Sequence, residues 1–167
     1  SKTTGAAEFD LVNAGHFEPI PGKNPLQFFS TSNSAILPLT TVDSGNPLFG
    51  QVLQMRQDFR ESAYIYQEIY NAGTNTLWGS NPIAFTVSGF AKGSAQSESK
   101  DAHFAIRVKV HYMEDGIEDD VFDFDFCREL TDWQFISGGF ATNQDKGIVQ
   151  SITVVLLYDG HPRTAQV

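Results

Sequence analysis

Three tyrosines at alternate positions are the first residues in this chain that could do chemistry. In SAYIYQEIY, Ser62 to Tyr70, the alternation places Tyr64, Tyr66, Glu68 and Tyr70 on one strand face. Ala63, Ile65, Gln67 and Ile69 take the other face. Aromatic rings stack on the apolar faces of sugars, and tyrosine adds a hydroxyl for hydrogen bonding. Exposed, the stripe is a binding platform. Turned inward, it is core. The aliphatic set makes the better core, and cross-strand aromatics can also serve only to stabilise a sheet. Trp78 lies in a loop between Thr76-Leu77 and Gly79-Ser80. Loop tryptophans contact ligands or cap the end of a core.

A second polar set is Arg107, Lys109 and His111, alternating with Phe104, Ile106, Val108, Val110 and Tyr112. Such groups can bond sugar hydroxyls or an acidic sugar's carboxylate, or simply form a solvated face. The acidic run Glu114, Asp115, Glu118, Asp119, Asp120, Asp123 and Asp125 offers oxygen ligands for a hard cation. It lacks the EF-hand spacing, and a charged hairpin tip that discourages edge aggregation also accounts for it.

No nucleophile set is readable. There is no Gly-x-Ser-x-Gly and no His-Glu-x-x-His, and His16, His103, His111 and His161 are scattered. The single cysteine, Cys127, allows no intramolecular disulfide and reads as an inert thiol. The net charge of −9 disfavours nucleic acid and anionic membranes as partners. No apolar run approaches the ~18 residues of a transmembrane helix, and residues 1–10 carry no apolar signal core, so an export signal would lie upstream.

The elements that must position these residues are strands. The 167 residues and 41% hydrophobic content suit one domain with its own core, and the 14 phenylalanines favour pleated surfaces. Residues 1–7 read as a flexible lead-in, and 8–167 as a single β-sandwich domain. Pro19 to Pro47 carries most of the seven prolines and excludes a continuous helix. Short strands are expected near Leu26–Phe29 and Ala35–Leu39. Further strands are expected at Leu48–Gln57, Ser62–Tyr70, Pro82–Ala91, Ala102–Tyr112, Val121–Cys127, Trp133–Ala141, Ile148–Tyr158 and from Ala165 onward. Glu114-Asp115-Gly116 turns a hairpin between two of them. Eight to ten strands and no long helix predict an all-β, two-sheet antiparallel sandwich, a jelly roll. The last third, Thr131 to Val167, is expected to form its closing sheet.

The order of motifs resembles the carbohydrate-binding-module type of galactose-binding-like jelly roll. LVNAGHFE at 11–18, Phe49-Gly50 with Val52-Leu53-Gln54-Met55, Tyr64 to Ile69, Phe85 to Lys92, Thr131-Asp132-Trp133-Gln134, and Val155 to Tyr158 with Thr164-Ala165 carry the resemblance. The run from His103 to Thr142 resembles the jelly rolls of bacterial RHS/YD-repeat surface proteins. Two departures stand out. Phe28 and Phe29 replace an expected tryptophan, and the closing Asp of the pattern would fall beyond Val167.

The resemblance implies a non-catalytic, extracellular or cell-surface module of a larger bacterial protein, joined to other domains. Taken with the residue reading above, it would bind a glycan or polysaccharide, with Tyr64, Tyr66, Tyr70, Trp78, Arg107 and His111 as the candidate contacts. It places Trp133 in the core. It also implies a structural calcium, with Glu18 and Asp43 at two of its ligand positions. The alternatives are a structural or adhesive spacer without a sugar site, and a glycan-active enzyme.

Overall fold

The computed structural model describes residues 29–32, 40–43, 51–56, 64–72, 84–93, 103–127, 132–159 and 164–166. Among these it contains ten strands: β1 (Ser30–Thr31), β2 (Thr40–Asp43), β3 (Gln51–Arg56), β4 (Ile65–Asn71), β5 (Ala84–Gly93), β6 (His103–Tyr112), β7 (Asp120–Asp125), β8 (Gln134–Ala141), β9 (Val149–Asp159) and β10 (Thr164–Gln166). They form two five-stranded sheets, ordered β1-β4-β9-β6-β7 and β2-β3-β10-β5-β8, with every pairing antiparallel. The fold is the expected all-β sandwich.

The chain's last third does not close a single sheet. β9 lies at the centre of the first sheet, whereas β8 and β10 belong to the second. Composition explains β9's position. Ile152, Val154, Val155, Leu156 and Leu157 are all buried, so both faces of this strand are covered. A strand buried on both faces reads as a continuous apolar run, and this is the most apolar window in the sequence.

The core is built by alternation. Ile106, Val108, Val110 and Tyr112 of β6 point between the sheets, against Phe85 and Val87 of β5, Phe122 and Phe124 of β7, and Phe140 of β8. The Phe140 ring stacks on Phe85 at 4.9 Å and meets Phe122 at 5.2 Å and Phe124 at 6.3 Å. Gly116, with φ 83°, completes the β6–β7 turn that the sequence predicts.

Two glycines let the sheets approach. A Cβ on Gly138 would lie 2.5 Å from the Phe124 ring, and one on Gly89 would lie 2.9 Å from Ile106 Cδ1. Phe124 is a rigid ring wedged near Phe140, while Ile106 Cδ1 ends a side chain that can turn. Gly138→Ala is therefore expected to destabilise the fold by about 1–3 kcal/mol, and Gly89→Ala by less. Urea denaturation of both variants checks the order.

Candidate functional site

The candidate site is the outer face of the first sheet. Backbone register aligns its side chains into rungs. One rung runs Ser30–Tyr66–Val155–Arg107–Asp123 across all five strands. The next runs Glu68–Thr153–Lys109–Val121, and beyond it Asn71, Ser151 and His111 align.

The tyrosine stripe is split by a register shift between Glu68 and Tyr70. Such an irregularity turns the following residues to the opposite face. Tyr66 stays outward, next to Tyr64, but Tyr70 turns into the core and is 3% exposed. The strict alternation read from the sequence therefore fails at Ile69. Tyr70 is packed with Val108, Val110 and Ile152 and cannot belong to a surface platform. Tyr64 and Tyr66 remain as a pair, with ring centroids 5.8 Å apart and planes inclined by 55°. Tyr64 is 37% exposed.

One long cation reaches over β9. Lys109 is separated from Tyr64 by this strand, yet its Nζ lies 5.9 Å from the Tyr64 ring centroid. Between them Val155 and Leu157 take outward-facing positions but are buried, at 3% and 6% exposed. Arg107 makes a two-pronged contact with its cross-strand partner, donating from Nε to Asp123 Oδ1 (2.7 Å) and from Nη2 to Oδ2 (2.9 Å). Parallel bonds of this kind fix a guanidinium in one orientation. His111 Nδ1 lies 2.7 Å from Asp119 Oδ1, with both side chains well exposed. Asn71 Nδ2 donates to Glu68 Oε1 at 2.7 Å.

This face thus gathers Tyr64, Tyr66, Arg107 and His111, and it excludes Tyr70. Trp78 and Glu18 lie outside the described residues. Asp43 ends β2 and is exposed. Among the described residues, no group of three or more His, Cys, Asp or Glu side chains gathers to hold a metal ion. The acidic run is divided among basic and hydroxyl partners instead. Asp119 meets His111, Asp123 meets Arg107, and Asp120 meets Lys146 and Tyr112. Burial pushes the Asp120 carboxyl up, but its hydrogen bonds to Lys146 and Tyr112 outweigh that and hold it below the usual carboxylate range. Cys127 is exposed and Trp133 is half-buried.

Chemically, the face offers the two tyrosine rings with their hydroxyls, the Lys109 ammonium, and the paired Arg107–Asp123 and His111–Asp119 groups. The sequence reading had the polar stripe on β6 but not the buried, outward-facing Val155 and Leu157 beside it. Alternation along Ser151 to Leu157 would have placed Val155 and Leu157 outward, but the same residues also read as a strand buried on both faces.

No family model and no curated protein matches the chain. Solved structures do. A Clostridium thermocellum xylanase 10B fragment, comprising CBM22-1 and GH10 modules in complex with xylohexaose, matches at TM-score 0.55 and 16% identity. The match covers 84% of this chain and only 25% of that one. The C-terminal family 22 module of the same enzyme, studied for the role of its cleft residues in ligand binding, matches at TM-score 0.54 and 12% identity, over 91% of this chain and 86% of that one. The CBM22-2 xylan-binding domain of Paenibacillus barcinonensis Xyn10C matches at TM-score 0.50 and 10% identity, over 83% and 86%. The chain has the fold of a carbohydrate-binding module. At these identities the likeness establishes architecture, and the ligand must be argued from the residues.

Among the described residues, no helix is long and apolar enough to cross a membrane. On the outer side of the second sheet, Phe90 and Phe135 form a further exposed aromatic pair.

Proposed function

We propose that this chain is a non-catalytic glycan-binding module of a larger bacterial extracellular or cell-surface protein, binding polysaccharide across the outer face of the β4-β9-β6-β7 strands. The supporting observation is the Tyr64–Tyr66 pair, Tyr64 exposed and Tyr66 half-buried, on the same sheet face as Lys109 and Arg107. Stacked rings would take the flat faces of the sugars, and the surrounding side chains would bond their hydroxyls. A xylan-type chain is the first ligand to try, because solved proteins of this fold include xylan-binding domains. Affinity per module would be modest and raised by repetition along the parent chain. The His103 to Thr142 run supports a parent of the RHS/YD-repeat type. Isothermal titration with xylohexaose, beside a glycan array, tests the reading. Binding with submillimolar affinity is expected, and a blank array at millimolar sugar would sink it.

A structural or adhesive spacer is the second reading. It is favoured by the Arg107–Asp123 ion pair and the His111–Asp119 contact, in which these polar groups already hold partners within the β6–β7 hairpin.

A structural calcium at Glu18 and Asp43 remains a proposal resting on the sequence resemblance. A cation bound only by the folded state raises stability by mass action. Chelation of a protein that extends past Val167 is expected to lower its Tm by several degrees, and an unchanged Tm would refute the site.

A further inference from the structure

The outer face of the second sheet carries its own binding chemistry. Ala84, Thr86, Ser88 and Phe90 of β5 alternate outward, as do Phe135, Ser137, Gly139 and Ala141 of β8, and all eight are exposed. Register joins them into four rungs: Phe90–Phe135, Ser88–Ser137, Thr86–Gly139 and Ala84–Ala141. At two residues per rung, the track is about 20 Å long. One end is aromatic. The Phe90 and Phe135 rings lie 4.8 Å apart, inclined by 42°, and are 46% and 55% exposed.

We propose that this track is a second glycan-binding surface, opposite the tyrosine face and selective for an uncharged polysaccharide chain. Three features point to that occupant. None of the eight positions is charged, on a chain whose net charge is −9. The cation on this face of β5 is Lys92, one outward position beyond Phe90, so it borders the aromatic end and leaves the Ser88, Thr86 and Ala84 rungs uncharged. The aromatic rung supplies a stacking surface for the apolar face of a sugar, and Ser88, Ser137 and Thr86 follow it with hydroxyls that both donate and accept. Finally, the apolar patch is small. Two half-exposed phenylalanines offer about 200 Å², whereas a stable protein interface needs about 800 Å² per partner. The remaining Ala, Ser, Thr and Gly positions lack the large anchors on which such interfaces rely.

The two faces lie on opposite sheets, so one module would bridge two polysaccharide chains. This second face uses none of the residues of the first, and either can fail alone.

The test is a backbone-amide NMR titration with xylohexaose and, separately, cellohexaose at millimolar concentration. Perturbations are expected at 86–90 and 135–139, apart from those on β4, β6 and β9. Phe90→Ser with Phe135→Ser should weaken binding at the β5–β8 amides by about tenfold per ring lost and leave the other face unaltered. Phe90→Tyr with Phe135→Tyr should retain it. Silence of the β5 and β8 amides with both sugars overturns the proposal, whatever the tyrosine face does. So does unchanged binding in the serine variant. A dimer in sedimentation that the serine substitutions dissolve would assign the face to self-association and also overturn it.

Discussion

Tyr112→Phe is expected to cost about 1–2 kcal/mol of folding stability, although it deletes a single oxygen. The hydroxyl is buried at the end of β6 and holds two partners at once. It donates to Asp120 Oδ2 at 2.6 Å and accepts the Asn143 backbone N–H at 2.8 Å. Lys146 completes the cluster, with Nζ donating to Asp120 Oδ1 at 2.6 Å and to the Glu118 carbonyl at 3.1 Å. The same ammonium lies 5.7 Å from the Tyr112 ring centroid. Asn143 also caps the short 3-10 turn Gln144–Lys146, its side chain accepting from the Asp145 N–H at 2.9 Å. Phenylalanine would fill the same volume but leave a carboxylate oxygen and a backbone donor each short of one partner, at about 0.5–1 kcal/mol each because both groups are only part-buried and within reach of water. That is a large part of a typical domain's net stability.

The pH dependence separates this network from simple packing. Burial, then the Asp120 carboxylate, pushes the Tyr112 phenol up to about 12, partly offset by the Asn143 N–H. A folded pKa above the unfolded value of about 10 gives stability that is complete below pH ~10 and lost as pH rises toward ~12. Asp120 has the opposite sign. Its folded pKa is lowered, so its contribution is present above the unfolded value of about 4 and is lost as pH falls through the folded one. Urea denaturation across this pH range should show both arms in the native chain. The alkaline arm should disappear in Tyr112→Phe and the acid arm should shrink, because Asp120 then keeps only Lys146. Equal slopes in the two proteins would refute the assignment.

Much of this architecture is legible in alternation. β6 and β7 are clean two-residue repeats with a Gly turn, and the structure forms them within a residue or two of the sequence reading. The same rule failed at β4, where one extra residue at Ile69 returned Tyr70 to the core. A bulge leaves little composition signal, because it is set by how β4 must bend to pair with β9. Sheet membership was also hidden. Val149–Asp159 and Thr164–Gln166 are neighbours in sequence but lie in different sheets, since a sandwich chain crosses from one layer to the other. The polar stripe Arg107 and His111 was legible as a face. Its pairing with Asp123 and Asp119 was not, because cross-strand register decides it. Phe90 and Phe135 follow from parity, once Phe85 and Phe140 are known to face inward.

Replacing Tyr64 and Tyr66 together by alanine is expected to weaken glycan binding about 100-fold, roughly tenfold for each ring lost. The structural cost should be unequal. Tyr64 is partly exposed and its loss should barely move the Tm. Tyr66 lies beside Val155, which is almost wholly buried on an outward-facing position, so its loss should uncover that strand and lower stability modestly. Circular dichroism and melting curves separate that effect from lost affinity. Lys109→Met sharpens the test, because it removes the cation near Tyr64 while keeping most of the side chain's length. A surface cation–π contact is worth about 0.5–1 kcal/mol. If that contact holds the Tyr64 ring in its binding orientation, affinity should fall about two- to fivefold. In a Tyr64→Ala background the Lys109 substitution should then have no further effect. Independent, additive losses would mean that Lys109 bonds the sugar directly rather than positioning the ring. Full binding by the double tyrosine variant would remove the glycan from this face altogether.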